Sequence, residues 1–253
     1  MYAAERQQRI MAQAREAGRV EVVALADQLG VATETIRRDL TALERRGTLR
    51  RVHGGAIPVE RLELEPTLAT RVTRLTDEKR RIAARALDYL PREGTVLLDA
   101  GSTTQAVVES LPLDSDLTVV TNSVAAAAAL ASHPGISLYL IGGRVRGTTG
   151  AAVGIWATEA LADLVVDIAL IGTNGFSVAR GLTTPDQQEA LVKRAMVGSA
   201  RRVVVLSDSS KAGDDHMHRF ASLAEIDVLL TDTSLDEDVA AEIRSAGPEV
   251  VLA

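Results

Sequence analysis

Over its last two-thirds the chain repeats one pattern: a short, largely apolar run, a loop rich in Gly, Ser, Thr and Asn, and a stretch of helical periodicity. The runs are residues 95–99, 117–121, 137–141, 166–171, 202–206 and 226–230, with 249–252 closing the series. A strand with one wet face alternates apolar and polar residues, whereas a strand without that alternation is covered on both faces. Such strands separated by helices require a parallel sheet with helices on either side, an α/β, Rossmann-like parallel-sheet domain.

In such a sheet ligands bind beyond the carboxyl ends of the strands, and the polar residues of this chain collect there. The first run leads into Asp99-Ala100-Gly101-Ser102-Thr103-Thr104, the second into Thr121 and Asn122, the third into Gly142 and Gly143. The fourth ends in Gly172, Thr173 and Asn174, and the fifth in Asp208 and Lys211. Each alone is ordinary turn and cap chemistry. Five strand ends of one character indicate a binding site. A helix starting at Ser102–Thr104 would offer backbone N–H groups to an anion, while amides, hydroxyls and acids suit sugar hydroxyls, so a small phosphorylated polyol is the ligand expected. Glu189 and Lys193 stand four apart on a later helix, where a solvated surface pair and a ligand role are both open. Of 28 basic residues only Lys79, Lys193 and Lys211 are lysine, a reason to read each as needed.

The N-terminal region obeys a different pattern. Residues 22–29 form a short apolar-periodic helix stopped by Gly30, and Ile36, Leu40 and Leu43 recur at i, i+4 and i+7 in a second helix. That spacing gives one buried stripe and leaves Glu34, Arg38, Thr41 and Arg45 on the opposite side, with Arg37 at its edge. Residues 47–56 read as a strand, a tight glycine turn and a returning strand. Helix, turn, basic helix and wing make a winged helix-turn-helix, and the Arg37-Arg38 and Arg50-Arg51 pairs that flank it point to DNA rather than to mere solvation. The residues expected to face DNA are Thr33, Glu34, Thr35, Arg37, Arg38, Thr41, Arg45, Arg51, His53 and Gly54. Charge agrees: residues 1–57 carry 10 Arg against 7 acidic residues, a net of +3, within a chain of net −6.

Thr35-Ile36-Arg37-Arg38-Asp39-Leu40 followed by Arg51-Val52-His53-Gly54-Gly55-Ala56 resembles the DNA-binding signature of the DeoR family of bacterial transcriptional repressors. More narrowly, the opening Met1-Tyr2-Ala3-Ala4-Glu5-Arg6, with Gly175-Phe176 and Gly181-Leu182-Thr183-Thr184-Pro185, is similar to actinobacterial fructose-operon and sugar-phosphotransferase repressors. The resemblance covers nearly the whole chain. It departs at Ala32, where the family usually has a Ser or Thr that caps the recognition helix; Thr33 is expected to cap one residue later. The resemblance implies a sensor domain that looks like ribose-5-phosphate isomerase and responds to a phosphorylated sugar. It also implies a dimer or tetramer.

The organisation expected is a DNA-binding domain over 1–57, a linker over 58–75 and a phosphosugar-sensing domain over 76–253, with Thr76 capping a helix that runs to Leu90. The function expected is a repressor of sugar genes released from double-stranded operator DNA by a sugar phosphate, fructose 1-phosphate before fructose 6-phosphate. The rival is a phosphosugar isomerase-like enzyme with a DNA-binding appendage, for which Asp99 or Asp208 would be the base. Neither a cofactor nor a metal site is expected: there is no cysteine, and His216 and His218, two apart, face away from each other on a helix. Trp156 is expected to pack. No apolar run is long enough to span a bilayer, and a cytoplasmic location is expected.

Overall fold

The computed structural model describes residues 3–45, 48–52, 54–58 and 65–253, and divides into two compact units, Met1–Glu65 and Pro66–Ala253. The first unit contains α1 (Ala3–Ala17), β1 (Val20–Glu21), α2 (Val22–Leu29), α3 (Thr33–Arg45), β2 (Leu49–Val52) and β3 (Gly55–Pro58). Ile36, Leu40 and Leu43 of α3 are buried with Ile10, Ala14 and Leu25, which places the apolar stripe read from the sequence against the other two helices. Gly30 ends α2 at φ 63°, a left-handed conformation that costs a residue without a Cβ little. The cap of α3 differs from expectation. The Ala32 carbonyl accepts from the N–H groups of Thr35 (2.9 Å) and Ile36 (3.3 Å), so Ala32 itself holds the N-cap position and Thr33 is the first helical residue. Strands β2 and β3 pair antiparallel from Leu49↔Pro58 to Val52↔Gly55, and β1 adds to the other side of β3. Gly54, at φ 73°, sits in the turn. His53 and residues 59–64 of the expected linker lie outside the described residues.

In the second unit the helices are α4 (Leu68–Val72), α5 (Thr76–Ala86), α6 (Ser102–Ser110), α7 (Val124–Leu130), α8 (Ile155–Ala162), α9 (Gln187–Ser199) and α10 (Glu237–Ser245). The strands are β4 (Glu93–Leu98), β5 (Asp116–Thr121), β6 (Ile136–Leu140), β7 (Arg144–Val145), β8 (Ala152–Val153), β9 (Ile168–Gly172), β10 (Gly175–Ser177), β11 (Gly181–Thr184), β12 (Val203–Leu206), β13 (His218–Ala221), β14 (Val228–Thr231) and β15 (Glu249–Leu252). Seven of them form one parallel sheet in the order β15-β14-β12-β9-β4-β5-β6. Successive residues point to opposite faces: Leu97, Val203 and Val205 enter one core, and Val96, Leu98, Val204 and Leu206 the other. Both faces are buried, which is why the central runs show no polar alternation. The chain builds outward from β4 to β6, then returns to the far side of β4 at β9. Strand order therefore reverses between β4 and β9.

Several details were not read from the sequence. Residues 68–72, within the stretch taken as a linker, are helical and capped by Thr67, whose hydroxyl accepts from Thr70 N–H at 3.3 Å. Thr76 does not cap α5. Leu75 precedes it at φ 50° with no side-chain cap, and the helix gives way to a 3-10 turn at Leu87–Tyr89 before Pro91. A small antiparallel sheet β10-β11-β13 and the pair β7-β8 cross the connections. Trp156 is 73 % exposed, so it is a surface residue rather than a packing one. No helix among the described residues is long and apolar enough to cross a membrane.

Candidate functional site

The first unit presents the outer side of α3. Thr33, Glu34, Arg37, Arg38 and Arg45 are exposed, and Thr35 and Thr41 half-buried. Glu34 holds both arginines loosely, at 3.5 Å to Arg37 and 3.9 Å to Arg38; such exposed pairs are worth little, so the guanidinium groups can leave Glu34 for phosphates or base edges. Arg51 is placed differently. Its Nη1 donates to the Arg37 carbonyl (3.3 Å) and the Thr41 hydroxyl (3.2 Å), and its N–H to Glu44 (2.9 Å), fixing the wing strand to α3. Asp39, between the arginines and the apolar stripe, is buried and accepts from Arg6 (2.5 Å) and Gln7 (2.9 Å) of α1.

In the second unit a cleft of about 310 Å³, including its open mouth, is lined by Arg71, Ala100, Gly101, Ser102, Thr103, Gly172, Thr173, Asn174, Glu189, Lys193 and Lys211. It lies at the carboxyl ends of β4 and β9, where the strand order reverses, the place at which open α/β sheets bind ligands. The amino end of α6 opens there: Gly101 occupies the N-cap position and no side chain caps it, leaving N–H groups and the positive end of the helix dipole toward the cleft.

Beneath this floor lies a buried polar network. Lys193 forms an ion pair with Asp99 and donates to the Gly172 carbonyl at 2.9 Å, while Asp99 accepts the Gly172 N–H at 3.0 Å. Burial pushes the Asp99 carboxyl above the usual carboxylate range, against the charge and hydrogen bond of Lys193. Glu189 does not spend itself on Lys193; it accepts from Arg146 (2.7 Å) and from the Thr149 hydroxyl (2.5 Å). Asp186 caps α9 through the Glu189 N–H at 3.0 Å, which sets the turn on which both side chains stand. At the end of β12, Asp208 pairs with Lys211 at 3.4 Å and with the Ser210 hydroxyl. Its burial favours the neutral acid, yet the charge of Lys211, that hydroxyl and Lys79 outweigh it and hold the carboxyl below its usual range.

Of the residues read from the sequence, the structure brings Gly101, Ser102, Thr103, Gly172, Thr173, Asn174, Glu189, Lys193 and Lys211 to the cleft wall. Asp99 and Asp208 stand behind it as partners of the two lysines. Thr104, Thr121 and Asn122 brace the loop: the Thr104 hydroxyl donates to the Asp99 carbonyl (2.7 Å), the Thr121 hydroxyl to the Leu98 carbonyl (2.7 Å), and Asn122 links Ala100 N–H to the Ala152 carbonyl at 3.1 Å each. Gly142 and Gly143 do not line the cleft; Gly143, at φ 150°, lets the backbone pass against Val153. Sequence reading missed Arg71, which arrives from the linker stretch, and Arg146. It also left out Lys79, although that residue is one of the three lysines. Lys79 is buried, donates to the Arg71 and Arg74 carbonyls, and is pushed down to about 8 by burial, by Lys211 and by the two arginines, with Asp208 opposing.

Comparison with known proteins agrees with both halves. Residues 6–61 match the DeoR-like helix-turn-helix domain, and residues 74–233 the DeoR C terminal sensor domain. The chain is 41 % identical to the HTH-type transcriptional regulator GlpR of Haloferax volcanii over 99 % of its own length and 98 % of the relative's. It is 36 % identical to the uncharacterized HTH-type transcriptional regulator FruR of Bacillus subtilis, over 92 % of each. The HTH-type transcriptional repressor GlcR of Bacillus subtilis is 34 % identical over 92 % of this chain and 89 % of its own.

Proposed function

The chain belongs to the DeoR family of DNA-binding transcriptional regulators, and on that premise we propose that it represses genes of sugar uptake and catabolism, those of fructose first, and leaves its operator when a phosphorylated sugar fills the cleft. The observation that carries this reading is that an uncapped helix amino end, Lys193, Lys211 and Glu189 line one cleft. A phosphate needs donors and positive charge; sugar hydroxyls need an acceptor such as Glu189. Fructose 1-phosphate stands ahead of fructose 6-phosphate, on the sequence likeness to fructose-operon repressors. The protein works as a homodimer or homotetramer in the cytoplasm, because one small reader on one half-site binds weakly and two readers double the contacts.

This is a regulator and not an enzyme, as its relatives are. The side chains also argue against isomerase chemistry: the two carboxylates that might serve as base, Asp99 and Asp208, are buried against lysines behind the cleft wall. Operator retardation combined with calorimetry tests the proposal. Coupling between two sites is reciprocal, so fructose 1-phosphate should weaken operator binding by the same factor as operator weakens sugar binding, and free fructose should do neither. Equal binding of fructose and its phosphates would sink the effector assignment and leave the DNA-binding function standing.

A further inference from the structure

We infer that Arg71 binds the anionic group of the effector, and that the short helix carrying it, α4, transmits occupancy of the cleft to the segment that joins the two units. The inference rests on the effector reading above and adds to it a contact from outside the strand ends. Arg71 lines the cleft together with Ser102, Thr103, Lys193 and Lys211, yet it belongs to a five-residue helix that begins three residues after the first unit ends at Glu65. A guanidinium presents a planar fork of donors suited to two phosphate oxygens at once.

Both ends of α4 connect, through intermediate residues, to side chains that line the cleft. At the start, Leu68 N–H donates to the Thr148 carbonyl at 2.7 Å, and the neighbouring Thr149 hydroxyl donates to Glu189. At the finish, the Lys79 ammonium donates to the Arg71 and Arg74 carbonyls. Lys79 in turn feels the charge of Asp208, the partner of Lys211. All three lysines of the chain thus converge on this one region. An anion drawn in by Lys193, Lys211 and α6 also draws on Arg71, and any shift of Arg71 moves a helix whose chain continues directly into the DNA-reading unit.

The test uses the full chain and three proteins: wild type, Arg71→Ala and Arg71→Lys. Calorimetry is run with fructose 1-phosphate and, separately, with inorganic phosphate, and hydrogen exchange is followed at residues 66–75. Arg71→Ala is expected to lose about tenfold or more in affinity for both ligands, the loss of a charge-assisted contact, and Arg71→Lys to recover part of it. Ligand should slow exchange at 66–75 in wild type and not in Arg71→Ala. Wild-type affinity in Arg71→Ala, or exchange at 66–75 that ignores ligand in wild type, overturns the inference while the cleft itself stands. If phosphate binds through Arg71 and fructose 1-phosphate does not bind, the inference holds and the sugar assignment falls. A wild type that binds neither ligand overturns both.

Discussion

The Lys193 ammonium forms a buried ion pair with the Asp99 carboxylate, tying α9 to the carboxyl end of β4 across 94 residues of chain. Between them Gly172 donates its N–H to Asp99 and accepts from Lys193 at its carbonyl, so the two peptide groups flanking this one residue at the strand-order reversal are both held.

Lys193→Met is therefore a stability mutation as well as a binding one. It strands the Asp99 carboxylate, and breaking a buried pair from one side costs about 3–5 kcal/mol. Urea unfolding should show that loss, and the loss should shrink as pH falls, because a proton on Asp99 removes the stranded charge. The double variant Asp99→Asn/Lys193→Met should regain much of the stability without regaining a response to sugar phosphate. A single variant as stable as wild type at neutral pH would mean that the pair contributes nothing to the fold.

Arg38 and Arg51 separate reading from positioning. The Arg38 side chain is 82 % exposed and, among the described residues, pairs with Glu34, so Arg38→Ala should leave the thermal midpoint unchanged and weaken operator binding by about 1–3 kcal/mol if it reads a base. The Arg51 guanidinium donates to the Arg37 carbonyl and the Thr41 hydroxyl, and Arg51→Ala, which loses both and keeps only the backbone N–H to Glu44, should loosen the wing and lower both midpoint and affinity. Equal operator affinity for Arg38→Ala and wild type at one salt concentration would take Arg38 off the reading surface.

What was legible in the sequence follows from period and punctuation. The α3 stripe, the Gly30 stop and the doubly covered strands each leave a local mark, because burial dictates residue type at fixed spacing. The site was legible in part, since strand ends announce themselves through Gly, Ser, Thr and Asn. Arg71 was not, because a short helix capped by Thr67 carries no apolar period and its cleft is made by residues far along the chain. Lys79 carried a signal, its rarity, but nothing local says that a lysine in an amphipathic helix will turn inward to another segment's carbonyls. The buried state of Glu189 and Lys193 was equally hidden, since an i, i+4 pair looks the same on a wet face and a dry one.

Asp39 shows the same limit inside the DNA-reading motif. It stands next to Arg38 yet points the other way, to Arg6 and Gln7. Asp39→Ala leaves Arg6 charged and largely buried without its partner, at a cost of about 3–5 kcal/mol. Operator binding should fail through unfolding of the first unit while the second unit still binds sugar phosphate, a split that calorimetry and circular dichroism on one sample would reveal. A variant with a normal midpoint that nonetheless loses DNA would instead make Asp39 a reading residue.

Lys79 gives a pH dependence with two opposite signs. Its folded value of about 8 lies below the 10.5 of an unperturbed lysine, so between those values the unfolded chain binds the extra proton and this group's contribution to stability rises with pH. Over the lower part of that range the ammonium facing Asp208, Lys211, Arg71 and Arg74 becomes an amine, and its charged hold on the Arg71 and Arg74 carbonyls is lost. Release of operator by sugar phosphate should therefore weaken from pH 7 to pH 9 without a matching loss of thermal stability from this group, and Lys79→Met should flatten the profile. A wild-type response constant over that range would remove Lys79 from the coupling.

Lys211→Met should behave unlike Lys193→Met. Asp208 keeps the Ser210 hydroxyl and the charge of Lys79 when Lys211 is gone, so its carboxylate is not stranded and the fold should lose little. Lys79 should in fact become more basic, because Lys211 is one of the charges that lower it. The cleft, however, loses one of its cations, and an anion meeting only Lys193, Arg71 and the α6 amino end should bind more weakly. The expected protein binds operator normally and is not released by sugar phosphate, a repressor that stays on. If a reporter strain carrying Lys211→Met induces as fully as wild type, Lys211 serves to hold Asp208 and takes no part in recognising the effector.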